Sequence, residues 1–150
     1  MTEVERILDQ MHRGYYGNAW HGPSLSEVLQ GVSARKAAVK PLKKAHNIWE
    51  IVLHVGACED YVRRLVEGEK LSLTPEQDWP PIVKTGEKAW QKTLADLKKN
   101  HDDLEATVRS ISEARLAENP TEGNQTVYQR LHGVIQHNLY HAGQIAIIRK

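Results

Sequence analysis

Four residue pairs in this chain share one signature: a Ser, Thr or Asn followed three positions later by Glu or Gln at the head of a helix-period segment. They are Thr2 with Glu5, Ser24 with Glu27, Asn47 with Glu50, and Thr126 with Gln129. Each pair can satisfy the backbone N–H groups that a helix start leaves bare, so each marks a helix N-terminus. The apolar residues that follow recur every three or four positions, the period of a helix rather than a strand. Val4, Ile7, Leu8, Met11 and Tyr15 predict a first long helix to about Tyr16. Ile48, Ile51, Val52, Val55, Val62, Leu65 and Val66 predict a second, ended by Gly68. Trp90, Leu94, Leu97, Leu104, Val108 and Ile111 trace a third in a seven-residue rhythm that includes His101. Val127 to Ile148 carries a fourth with a broad apolar face, and residues 119–123 break the chain before it.

Two short helices after Ser24 and Ser33, ended by Gly31 and Pro41, read as a crossover rather than core, because the stretch is polar. The segment 69–83, with Pro75, Pro80, Pro81 and Trp79, is too broken for one helix and long enough for a functional loop or lid. Gly133 and Gly143 inside the fourth helix point to close helix packing, with a kink as the alternative. No strand or hairpin signal competes, so the expected fold is all-α: a four-helix bundle with a longer crossover between the first and second long helices. The length of 150 residues fits a single domain over 1–150.

A net charge of +1 gives no field to recruit nucleic acid or an anionic membrane. The basic stretch Arg35, Lys36, Lys40, Lys43 and Lys44 lacks interleaved aromatics and reads as a solvated face. No apolar run approaches membrane-spanning length. One cysteine, Cys58, excludes an internal disulfide, and the charged stretch Met1–Arg6 is unlike the start of a secretory signal, so a cytoplasmic location is expected.

Chemistry concentrates in the fourth helix. His137 and His141 stand four apart, which places their imidazoles side by side. Two ligands make a weak metal site, and His54, at the corresponding margin of the second helix, is the best third. Three imidazoles favour zinc, nickel, iron or copper over magnesium or calcium. Asn138 stands where H-E-x-x-H places its general base, so zincin-like proteolysis is not supported. Glu50 and Cys58, one turn either side of His54, and Gln144 are candidates to support the site. Each also has a structural reading: Glu50 as a cap, Cys58 as a buried thiol, Gln144 as helix surface. His101 can add a ligand or a proton shuttle, or sit buried and hydrogen-bonded. His12, His21, His46 and His132 have no partner at ligand spacing, and Trp20, His21 and Trp79 can border a pocket.

The segments Trp20–Leu25, His46–His54 and His137–Ile145 resemble the DinB-like superfamily, in its order and across the whole chain. The resemblance implies a four-helix bundle, often a homodimer, with a divalent metal held by His54, His137 and His141. The ion implied is zinc or nickel first, then iron or manganese. Characterised relatives include thiol-dependent S-transferases and isomerases that use low-molecular-weight thiols such as bacillithiol or mycothiol; others are described as metal-dependent hydrolases. The expected function is therefore thiol S-transferase-like chemistry, with a metal-bound thiolate attacking a small electrophile. Hydrolysis by metal-bound hydroxide and a non-catalytic, stress-associated metal-binding role are the alternatives. The chain departs from the family pattern at Cys58, where many relatives carry a bulky aromatic.

Overall fold

The computed structural model describes residues 1–121 and 123–150; Glu122, within the break expected at 119–123, lies outside the described residues. Seven α-helices and no strand are found among the described residues. The long ones are α1 (Glu3–Tyr16), α4 (Ile48–Val66), α6 (Glu87–Ser110) and α7 (Val127–Ile148); the short ones are α2 (Leu25–Leu29), α3 (Ala34–Ala38) and α5 (Pro75–Asp78). A 3-10 turn, Glu113–Ala117, follows α6.

All four sequence-predicted capping boxes form, with side chain and backbone bonded reciprocally. A fifth, Thr74 with Gln77, starts α5 and was not anticipated because no apolar run follows it. Ser33 caps α3 through its hydroxyl.

Both α1 and α4 pack on α6 and on α7, so the long helices close a ring, with α1 across from α4 and α6 across from α7. Gly14 on α1 lets Leu139 approach to 3.4 Å of where a Cβ would stand, and Gly56 on α4 does the same for Asn100 at 3.3 Å. Gly133 and Gly143 meet nothing within 4 Å of a Cβ, which corrects the expectation that they mark close packing. They lie on the outer part of α7, where the apolar pattern alone does not say which glycines face a neighbour.

The segment between α1 and α4 also departs from expectation. Leu25, Val28, Leu29, Ala34 and Ala37 are all buried; α2 lies on α1 and α7, and α3 on α4 and α6. The segment's apolar residues are few, but they stand three or four apart and all turn inward, so mainly polar helices still close one end of the ring. Trp90 ties this end down by donating its indole N–H to the Val32 carbonyl at 2.7 Å.

The core is two apolar clusters. One gathers Tyr15, α2, α3, Ile48 to Val55, Trp90, Leu97, Ala142 and Ile145; the other gathers Val4 to Met11, Val62, Val66, Leu104, Val108, Leu131 and Val134. Between them in sequence, on each of three helices, stands a buried polar residue: Glu59 on α4, His101 on α6 and Asn138 on α7. The candidate site lies beside this polar layer.

Candidate metal centre

His54 on α4 and His137 and His141 on α7 meet where these two helices pack. His54 Nε2 lies 2.9 Å from His137 Nε2, which lies 3.2 Å from His141 Nε2. His54 and His141 are buried and His137 is half-buried. The three offer ligand atoms all within 4.8 Å of one another.

Their outer nitrogens decide which atoms are free to ligate. The Asp78 backbone carbonyl lies 2.7 Å from His54 Nδ1, and Gln144 Oε1 lies 2.7 Å from His141 Nδ1. A carbonyl oxygen only accepts, so both Nδ1 atoms carry the proton and both Nε2 atoms present a lone pair inward. At most one proton, on His137 Nε2, can sit among the three converging nitrogens. A metal ion bound there would satisfy all three. Metal–imidazole bonds of about 2.0–2.1 Å put neighbouring ligand nitrogens roughly 2.9–3.4 Å apart, which matches the spacing here. Burial pushes the His141 pKa down to about 4, against the opposing bond from Gln144. Burial, reinforced by His54, also lowers the His137 pKa. Both rings are therefore neutral near pH 7, the form that binds metals.

The segment after α4 walls the site. Trp79 stacks on His54 with centroids 3.8 Å apart and planes 3° from parallel, and His46 stacks on Trp79 at 3.8 Å and 14°. The Asp78 carboxylate lies 3.3 Å from His54 Nδ1. Thus α5 and the residue after it deliver one backbone carbonyl, one carboxylate and one indole to His54, the kind of fixing that outer groups would give a metal-bound imidazole.

The family model of the DinB superfamily matches residues 19–145. The chain belongs to the DinB superfamily. All three converging histidines and the Asp78–Trp79 wall lie inside the matched span. Neither the curated proteins nor the solved structures contain a match to it.

The supporting residues expected in this DinB superfamily protein have unequal places. Gln144 contacts His141 directly. Cys58 Sγ lies 3.8 Å from both ring nitrogens of His54 and 3.6 Å from Asp78 Oδ1. His54, Cys58 and Asp78 thereby form a second group with metal-ligand atoms. Burial and the neighbouring Asp78 push the Cys58 thiol up to about 12, so the thiol stays protonated and is a poor nucleophile. Glu50 is taken up elsewhere: it accepts from the Asn47 backbone N–H at 2.9 Å and contacts His46 at 3.2 Å and Lys40 at 3.5 Å. His101 stands apart from the three histidines, buried between Glu59 at 2.8 Å and Glu105 at 2.9 Å. Trp20 and His21 line a small groove with Gln10, Arg13 and Leu139, while Trp79 stacks on His54.

Sequence reasoning missed Asp78 and the part played by His46. The capping pair Thr74 and Gln77 was the signal available, since it fixes a helical turn whose last residue is Asp78.

Proposed function

We propose that this DinB superfamily protein is a divalent-metal-dependent enzyme that transfers a low-molecular-weight thiol to a small electrophile. The observation that carries the reading is the convergence of three imidazole Nε2 atoms, two of them with tautomers fixed by carbonyl oxygens. A divalent ion in that position, zinc or nickel before iron or manganese, supplies a Lewis acid that favours the thiolate form of a bound thiol.

His54, His137 and His141 hold the ion, and Asp78 and Gln144 keep their rings oriented. Trp79 gives the centre an apolar wall, which suits a small organic electrophile better than bulk water. Cys58, kept protonated, does not compete as a nucleophile. Glu50 is committed to the start of α4, so a nucleophile that arrives with the substrate fits the site better than water needing a general base. The thiol gives its proton to solvent, a carbon–sulfur bond forms, and the displaced group leaves with its electron pair. Hydrolysis is the second reading, favoured by the half-exposed Asp78 carboxylate beside His54, an acid poised to act as a base there.

The proposal also takes the ring of long helices as a four-helix bundle forming one domain over 1–150, in the cytoplasm and paired as a homodimer. No helix among the described residues is long and apolar enough to cross a membrane. Pairing is supported by an uncharged exposed stripe on α7, Gln136, Tyr140, Gly143 and Ile147, with Tyr140 65% and Ile147 75% exposed. Gel filtration with light scattering on wild type and Tyr140→Glu tests it; a monomeric wild type removes the homodimer.

Elemental analysis of untagged protein, followed by turnover of an activated aryl halide or epoxide with and without added thiol, tests the main reading. Metal-loaded protein that consumes thiol and electrophile one for one supports transfer. Turnover of an ester or amide without thiol gives hydrolysis instead, and metal retention with neither activity leaves a non-catalytic metal-binding protein.

A further inference from the structure

Two of the three converging histidines have a partner on their outer nitrogen, and the third does not. Among the described residues, His137 Nδ1 is buried with no hydrogen-bond partner, as are Asn138 Oδ1 and Glu59 Oε2. If His137 Nε2 is a metal ligand, as the proposed function requires, Nδ1 carries a proton, and a buried N–H left unmet is costly. The adjacent residue supplies a matching acceptor in Asn138 Oδ1, which is likewise buried and unpartnered among the described residues.

Asn138 is itself anchored. Its Nδ2 donates to Glu59 Oε1 at 2.7 Å, and the same oxygen accepts from His101 Nδ1 at 2.8 Å. Glu59 is completely buried. His101 Nε2 lies 2.9 Å from Glu105, which reaches His12 at the surface at 3.1 Å. Metal-ligating histidines commonly donate their outer N–H to a carboxylate or carbonyl. His54 and His141 already do so, through Asp78 and Gln144.

We propose that Glu59 is a positioning residue for the metal centre, acting on His137 through Asn138. Glu59 holds the Asn138 amide with Nδ2 toward itself and Oδ1 free. That oxygen accepts the His137 Nδ1 proton through one ordered water and aims Nε2 at the ion. The polar layer that divides the core is then the rear support of the site, and α6 contributes to the centre through His101 without touching a metal ligand.

The test is a zinc competition titration of the full-length protein against a chelator, for wild type, Glu59→Gln, Asn138→Ala and the double variant. Each single substitution is expected to weaken zinc binding about tenfold or more. The double variant should bind no more weakly than Asn138→Ala alone, because Glu59 acts through Asn138. In parallel, the imidazole 15N spectrum of the zinc-loaded wild type should show a His137 Nδ1–H protected from exchange, and Glu59→Gln should shift it. A merely structural polar layer predicts a lower unfolding midpoint with zinc affinity and the His137 signal unchanged, and that result overturns the proposal. If Glu59→Gln does not fold, the wild-type spectrum decides: a His137 Nδ1 lacking its proton, or exchanging at solvent rate, also overturns it. A wild type that binds no zinc overturns the metal centre and this role together, whereas normal zinc binding in Glu59→Gln removes only the role of Glu59.

Discussion

Two histidine clusters lie within two turns of each other on α4, and their electrostatics are opposite. At His54 the neighbours are two more imidazoles, carbonyl oxygens and the one half-exposed carboxylate of Asp78; at Glu59 the imidazole of His101 lies between two carboxylates. Burial acts the same way on both, disfavouring the charged ring. At His141 in the first cluster the hydrogen bond to Gln144 does not outweigh it, and the His141 pKa falls to about 4. In the second, burial is outweighed by hydrogen bonds to Glu105 and Glu59, and the His101 pKa rises to about 9. One cluster therefore offers lone pairs to an external cation, while the other supplies its own cation. What a buried histidine does is set by what its neighbours accept or donate.

The largest effects should separate the clusters outright. His54→Ala, His137→Ala or His141→Ala should abolish near-stoichiometric metal while helicity by circular dichroism is retained. His101→Leu should instead cost roughly 3–5 kcal/mol in urea unfolding, because it strands two carboxylates without their partner. If His101→Leu costs nothing, the second cluster is not an ion network.

The pH response should also divide them. A His with a raised pKa stabilises the fold fully below the unfolded value of about 6.5 and loses that contribution as pH rises through the folded value. For His101 the loss lies between about 6.5 and about 9. For His141 the sign reverses: the contribution is present above about 6.5 and is lost as pH falls toward about 4. Urea midpoints of metal-free protein from pH 4 to 10 should fall at both ends, and His101→Gln should flatten the alkaline side alone.

Smaller effects sharpen the contrast in the walls. Trp79→Ala removes the stack on His54 and should weaken metal binding by about 1 kcal/mol, roughly fivefold, by chelator competition. The smallest effect should be that of Cys58→Ala, within about 1 kcal/mol in stability and with metal content unchanged. A large loss of metal there would make Cys58 a ligand.

The chain's local signals determined a great deal. Caps at Thr2, Ser24, Asn47 and Thr126 and the spacing of apolar residues fixed where helices begin, because both act within one or two turns. The pairing of His137 with His141 was legible for the same reason, as was the margin on which His54 lies. What only the tertiary structure decided depends on which faces meet. Asp78 and Trp79 reach His54 because α5 folds back on α4, and nothing in the proline-rich stretch between Glu69 and Val83 says where it returns. Asn138 faces Glu59, which in turn holds His101, because α4 packs on both α6 and α7 at that level, so its place in the zincin-like pattern shows an absent base and conceals a core anchor. Leu25 and Ala37 close the ring although their segments are mostly polar. Helical periodicity is a property of a few consecutive residues, whereas the partners of a buried polar atom are chosen by packing across the whole molecule.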